Sequence, residues 1–262
     1  MTSKSAAAEP CTRSRKPQSA HYGVDVPLRR IQRALAARGV SIHRRRSLSY
    51  GLDPMLDLGR LLHDVTTIVD VGANEGQTAL AFARSFPDAR VFALEPVPST
   101  YSILTRRTSS AGNVRCFQVA LGDREHETTI ALAAKSGQNS LLNLAEPGPE
   151  TLTLNVTTGE RWAAIHEVTH IDVLKVDTEG YDLAVLAGFE RFLLAGSVEA
   201  VLVECELARV RPEPHASFFE LFDYLTARCF GFTTLYTDSV FARQFAWGNA
   251  LFVRRPETAQ KS

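Results

Sequence analysis

The spacing of apolar residues changes character along this chain. Leu28, Ile31, Leu35 and Val40 recur at helical intervals with arginines on the other face, and Met55, Leu58, Leu61 and Leu62 make a second short helix after Pro54. Stripes of this kind normally pack against a core. Both helices are therefore expected to dock, with a lid over a site or a dimer contact as the other uses of residues 25–65. Beyond residue 66, short apolar runs alternate with helical stretches. Residues 68–71, 90–94, 114–121, 171–176 and 198–203 read as strands, and 77–85, 99–108, 183–194 (one helix, with Gly188 a candidate irregularity) and 217–228 read as helices. Residues 232–236 and 249–253 close the series as an antiparallel pair. Alternation of this sort predicts an α/β fold with a mostly parallel sheet, an antiparallel last strand and helices on both faces.

Residues 122–160 break the rhythm. "TTIALAA" and "TLTLNVT" read as strands flanking the Gly/Pro-rich "KSGQNSLLNLAEPGPE", which predicts a β-rich insertion beside a site.

Charge adds an asymmetry. The formal net charge is zero, yet residues 1–50 hold 11 Lys+Arg against 2 acids, leaving 18 basic and 27 acidic residues in the remainder. Residues 1–24 offer little to bury and are expected to form a disordered basic tail, as are 256–262 at the other end. The arm has almost no interleaved aromatics on which bases could stack, so a nucleic-acid partner is not expected. The 4 cysteines form no C-x-x-C pair and have no nearby histidine cluster, which fits a reducing cytoplasm. No apolar h-region and no span of about 20 apolar residues is present, so neither a signal peptide nor a membrane helix is expected.

The chemistry starts at "TIVDVGANEGQTALAFARSFPDARVFALEP". It reads as strand, glycine turn, helix and strand, and ligands of open α/β sheets bind beyond the carboxyl ends of such strands. Gly72 and Gly76 permit tight turning and close approach to a ligand, and the helix from Gln77 aims its first N–H groups at the same place. Asp70 precedes the turn and Glu75 sits within it. Two carboxylates suit an ammonium or sulfonium better than a pyrophosphate. Glu95 ends the next strand, placed to accept both ribose hydroxyls of an adenosine. Together these residues favour S-adenosylmethionine (SAM). A nicotinamide-dependent oxidoreductase, disfavoured by the missing third glycine, and a non-catalytic SAM-fold binding protein are the alternatives.

"VDVGANEGQTAL", "FALEPVPSTYSIL", "FQVALGD" and "IDVLKVDTEGYDLAVLAG" together resemble the successive motifs of FkbM-type SAM-dependent methyltransferases, over residues 66–253. The resemblance implies a Rossmann-like class I methyltransferase fold and O-methylation of a sugar or natural-product hydroxyl. It implies that Asp70, Gly72, Asn74 and Gly76 surround the methionine end of the cofactor, that Glu95 holds the ribose, and that Ala120 and Leu121 border the adenine.

Methyl transfer to oxygen requires alignment of the acceptor and removal of its proton. Asp177 and Glu179 follow the "IDVLKV" strand directly, and Lys175 should point the same way as Asp177. Glu204 and Glu206 end the neighbouring strand. Asp177, Glu179 and Glu206 are the candidate acceptor-side groups. Asp177, Glu204 and Glu206 are a candidate oxygen site for Mg²⁺, which would acidify a hydroxyl; the alternatives are a metal-free general base and simple helix capping by Asp177 and Glu179. Asn139 and Ser140 in the insertion, His215 on the loop after Glu206, and Trp247 as a stacking face are candidate contacts to a small-molecule or oligosaccharide acceptor.

Overall fold

A computed structural model describes residues 48–131, 151–207, 216–241 and 243–256. The chain divides after Leu48, and every element below belongs to the unit Ser49–Ser262. The expected tail 1–24, the first helix within 25–47 and nearly all of the expected tail 256–262 lie outside the described residues.

Strand β1 (Thr67–Val71) is buried along its whole length. It pairs in parallel with β2 (Arg90–Leu94) on one side and β7 (Ile171–Val176) on the other. A strand covered on both faces needs a continuous apolar run, which is how "TIVDV", "VFAL" and "IDVLKV" read. β3 (Val114–Phe117) extends the sheet beyond β2, and β8 (Val198–Glu206) beyond β7. The full order is β3-β2-β1-β7-β8-β10-β9, with β9 (Phe230–Phe241) and β10 (Gln244–Arg254) antiparallel. The fold is therefore mixed α/β around a mostly parallel sheet. The strand order reverses between β1 and β7, and that switch point opens a crevice at their carboxyl ends.

Helices α1 (Pro54–Leu61), α2 (Gln77–Ser85), α3 (Pro98–Thr108), α4 (Gly159–Ile165), α5 (Asp182–Ala187), α6 (Glu190–Leu194) and α7 (Phe218–Thr226) complete the fold. Side chains alternate across the strands into two cores. Val69, Phe92, Leu94, Trp162, Phe189 and Phe252 pack on one face; Leu58, Ile68, Phe82, Val91, Val173 and Leu251 pack on the other. α1 enters the second core through Leu58, and its buried Asp57 accepts hydrogen bonds from the Gly51 amide (2.8 Å) and the Tyr236 hydroxyl (3.0 Å). Among the described residues, no helix is long and apolar enough to cross a membrane.

Four boundaries differ from expectation. The strand expected over 114–121 divides: β3 ends at Phe117, and β4 (Ala120–Gly122) joins a second, three-stranded sheet with β6 (Thr151–Thr158) and β5 (His126–Ala131). The helix expected over 183–194 divides into α5 and α6 around Gly188, where a Cβ would stand 2.1 Å from the Gly122 carbonyl oxygen. The terminal hairpin is about twice the expected length. α4 was not foreseen; Thr158 caps it by accepting from the Arg161 amide, and it buries Trp162.

Candidate active site

Two loops meet at the crevice. The first runs from β1 to α2. Gly72 takes φ +75°, and a Cβ there would lie 1.9 Å from the Asp177 carbonyl oxygen, so no other residue fits. The Gly72 and Ala73 amides both donate to the Leu94 carbonyl (3.0 and 2.9 Å), which pins the turn to β2. Asn74 adopts φ +48° and Gly76 φ +88°. α2 receives no side-chain cap, so its first N–H groups point toward the crevice without a protein acceptor from the cap residue.

Glu95 lies under this turn, 7% exposed. Its Oε2 accepts from the Asn74 amide (3.1 Å) and its Oε1 from the Val97 amide (3.0 Å). Burial pushes its carboxyl pKa up, and the two amide bonds oppose the shift. Each carboxylate oxygen keeps a further lone pair for a hydroxyl donor. Gly72, Asn74, Glu95, Ala120, Leu121 and Asp177 line one cleft of about 680 Å³ with its open mouth included. Val97, Val119 and Ile130 add apolar wall; none of the three was singled out from sequence, and Ile130 comes from the expected insertion.

This cleft fits SAM on its own donor set. Asn74, in the cleft wall, carries a buried Oδ1 with no hydrogen-bond partner among the described residues, so an ammonium donor would satisfy it at little extra desolvation; Asp70, expected beside it, is fully buried behind the wall against Lys175. Glu75 behaves differently from expectation. It is not part of the cleft wall; its carboxylate pairs with Arg107 of α3 at 2.6 Å. The left-handed Asn74 reverses the chain just before it and turns the side chain outward.

The second loop follows β7. Asp177 donates its amide to the Val71 carbonyl (3.1 Å), tying the two loops at their base. Glu179 takes φ +51° and Gly180 φ +98°. A glutamate in the left-handed region is strained and persists only where its surroundings enforce it. Asp182 does so: Oδ1 accepts from the Thr178 amide (2.9 Å) and hydroxyl (3.1 Å), and Oδ2 from the Gly180 amide (3.3 Å). Burial, with the Asp177 charge added, raises the Asp182 carboxyl to about 6.

Lys175 lies below both loops, 3% exposed. Its Nζ stands 3.0 Å from Asp70 Oδ1 and 3.4 Å from Asp177 Oδ2, and donates to the Gly72 carbonyl at 3.0 Å. Burial disfavours its charge, but the Asp177 and Asp70 carboxylates outweigh burial and raise its pKa above the ordinary lysine value. Burial likewise pushes the Asp70 carboxyl up against the pull of Lys175.

The acidic group that converges is Asp177, Glu179 and Glu204, with one oxygen of each within 4.8 Å of the others. Glu206, expected in this group, is outside it. The register explains why: Val176 pairs with Val203, so Asp177 comes level with Glu204, and Glu206 lies two residues further along β8. There the Glu206 amide donates to the Ala216 carbonyl, beside Ser217. The donor set expected for Mg²⁺ is thus not the one that meets, and Asp177 already faces the Lys175 ammonium, which repels a second cation. No step is derived through a metal.

A second cavity, larger at about 1010 Å³ with its open mouth included, is lined by Asp177 and Lys175. Asp53 at the start of α1, Thr78 of α2, Asp238 of β9 and Asn249 of β10 help to line it. Trp247 is absent from that wall; Asn249, two residues on, takes its place. Asn139, Ser140 and His215 lie outside the described residues. Asp53 and Asp238 went unnoticed in the sequence, since each is an isolated acid and only the fold brings the two segments together.

The sequence pattern of the methyltransferase FkbM domain matches residues 70–232. Methyltransferase 1 of Beauveria bassiana (strain ARSEF 2860) is 26% identical over 148 residues, covering 48% of this chain and 59% of that protein. Hexuronic acid methyltransferase AglP of Haloferax volcanii is 31% identical over 136 residues, covering 52% of this chain and 54% of that protein. The chain thus matches little more than half the length of these two relatives. Among solved structures, TrmK of M. capricolum in complex with S-adenosyl-homocysteine aligns with 79% of this chain and 69% of its own, at 8% identity and a TM-score of 0.46.

Proposed function

The chain belongs to the methyltransferase FkbM domain family, and from that premise we propose that it transfers a methyl group from SAM to a hydroxyl of a saccharide or glycosylated metabolite. The observation that carries this reading is the position of Asp177, a residue that lines both the cleft suited to the donor and the cavity beyond it. Hexuronic acid methyltransferase AglP, a relative whose name specifies a sugar acid, supports a sugar as the acceptor. The nicotinamide alternative is not carried further, because the matching family is one of methyltransferases.

Bound in the cleft, SAM supplies a methyl group activated by a sulfonium centre. Glu95 takes the ribose hydroxyls, and Ala120, Leu121 and Ile130 cover the adenine. Asn74 accepts from the ammonium, and Asp70 lies buried behind it. On the other side, Asp177 accepts the proton of the acceptor hydroxyl, and Glu179 stands beside it. Lys175 holds Asp177 in place from below. Most of the acceleration comes from alignment, since in-line displacement needs oxygen, carbon and sulfur held in one row.

Titration calorimetry with SAM, followed by mass analysis of a glycoside panel, tests the reading. Binding is expected for the unaltered protein. Asp177→Asn is expected to keep donor affinity within about threefold and to lose roughly a hundredfold or more in turnover, the usual scale for a proton-transfer group. Absence of SAM binding defeats the reading. Binding without turnover of any hydroxylated acceptor favours the non-catalytic alternative.

A further inference from the structure

The cavity beyond Asp177 has a composition that bears on what enters it. Its described wall carries three carboxylates, Asp53, Asp177 and Asp238, and a single basic group, Lys175. That ammonium is 4% exposed and already shared between Asp70 and Asp177. Glu179 and Glu204 add further negative charge next to Asp177. The other polar groups are uncharged: Gln77, Thr78, Tyr236, Thr237 and Asn249. Asn249 donates to Asp238 Oδ2 at 2.9 Å, which orients that carboxylate at the rim. Asp53 accepts from the Met55 and Leu56 amides as the cap of α1, which fixes its position as well.

From this wall we infer that the acceptor site selects a polyol free of anionic substituents, either neutral or bearing an amine, and works against a carboxylated or phosphorylated sugar. The inference rests on the methyltransferase reading above and sharpens it. Carboxylates and amides in a row accept and donate to vicinal hydroxyls without an ionic partner. A uronate or phosphate placed among them meets like charge at short range in a partly desolvated space, and like-charge juxtaposition is a strong means of rejecting wrong partners. An ammonium on the ring meets attraction instead. The 31% identical relative is named for a hexuronic acid; by this wall the present chain takes a different acceptor class.

The test uses the full chain with SAM and four matched methyl glycosides: a neutral hexose, its 2-amino derivative, its uronate and its 6-phosphate. Methyl incorporation is read by mass at equal concentrations. The neutral or amino sugar is expected to exceed both anionic sugars by roughly tenfold or more in kcat/KM, the effect of like charges within a few ångströms at intermediate dielectric. Asp53→Asn/Asp238→Asn, in which asparagine still caps α1, is expected to narrow that ratio at least threefold. Equal or better methylation of the uronate or phosphate overturns the inference while leaving the methyltransferase reading intact. An unchanged ratio in the double variant also overturns it. If SAM binds and no sugar of the four is methylated, the acceptor class is wrong; if SAM does not bind, the fault lies in the methyltransferase reading itself.

Discussion

Lys175 and Asp70 form an ion pair 3.0 Å long that is almost wholly buried, with side chains 4% and 0% exposed. Removing one partner of such a pair leaves the other charge uncompensated, at a cost of about 3–5 kcal/mol. Lys175→Met is therefore expected to lower unfolding free energy by about that amount in a urea titration. Asp70→Asn/Lys175→Met should recover much of the loss, because two neutral groups need no compensation. Additive losses in the double variant would show that the pair is not coupled.

Gly72 and Gly112 offer a matched comparison. A Cβ at Gly72 would stand 1.9 Å from the Asp177 carbonyl at φ +75°, whereas one at Gly112 would meet nothing within 4 Å. Gly72→Ala is expected to cost more than about 2 kcal/mol and to weaken SAM binding, and Gly112→Ala to stay within about 0.5 kcal/mol. Thermal unfolding with and without SAM separates the two effects.

Glu95 and Glu75 are both acids of the donor region, and the structure gives them different surroundings. Glu95→Gln is expected to weaken SAM binding by about tenfold or more, since charged acceptors bind hydroxyl donors about twice as strongly as neutral ones. Glu75→Gln breaks only a half-exposed contact to Arg107 and should change affinity less than about threefold. Calorimetry on the two variants decides; equal losses would place Glu75 at the cofactor after all.

Asp182 carries a pH signature. Its carboxyl is held at about 6 in the folded chain against 3.8 for an ordinary aspartate. Between those values the folded state keeps a proton that the unfolded state has released, so this residue makes stability fall as pH rises from about 4 to 6. Above about 6 its contribution is flat. Asp182→Asn should remove this part of the slope, whatever it does to absolute stability. Parallel melting curves across that window in both proteins would contradict the assignment.

The central strands were legible because burial on both faces leaves no freedom in the sequence: "TIVDV" and "IDVLKV" can only be interior. The donor loop was legible for a related reason, since Gly72, Asn74 and Gly76 occupy backbone conformations that few residues tolerate. Glu204 was harder to choose over Glu206. The choice depends on the pairing of Val176 with Val203, and strand register is a property of two segments that neither encodes alone. The second cavity was harder still. Asp53, Thr78, Asp238 and Asn249 come from four separate elements, and no local pattern links them. Glu75 misled because composition reports a charge and says nothing of the direction in which a left-handed neighbour will turn it.

The position of β10 between β8 and β9 has a consequence for synthesis. As the chain leaves the ribosome, β8 is complete at Glu206, yet the strand that covers its outer edge begins only at Gln244. Until then β8 presents an open row of backbone donors and acceptors, a template for pairing with foreign strands. The donor cleft, built from β1, β2 and β7 with the loops around them, can close earlier. The second cavity cannot, because Asn249 is part of its wall. A nascent chain can thus assemble the cleft around Gly72 and Glu95 before the second cavity has its wall.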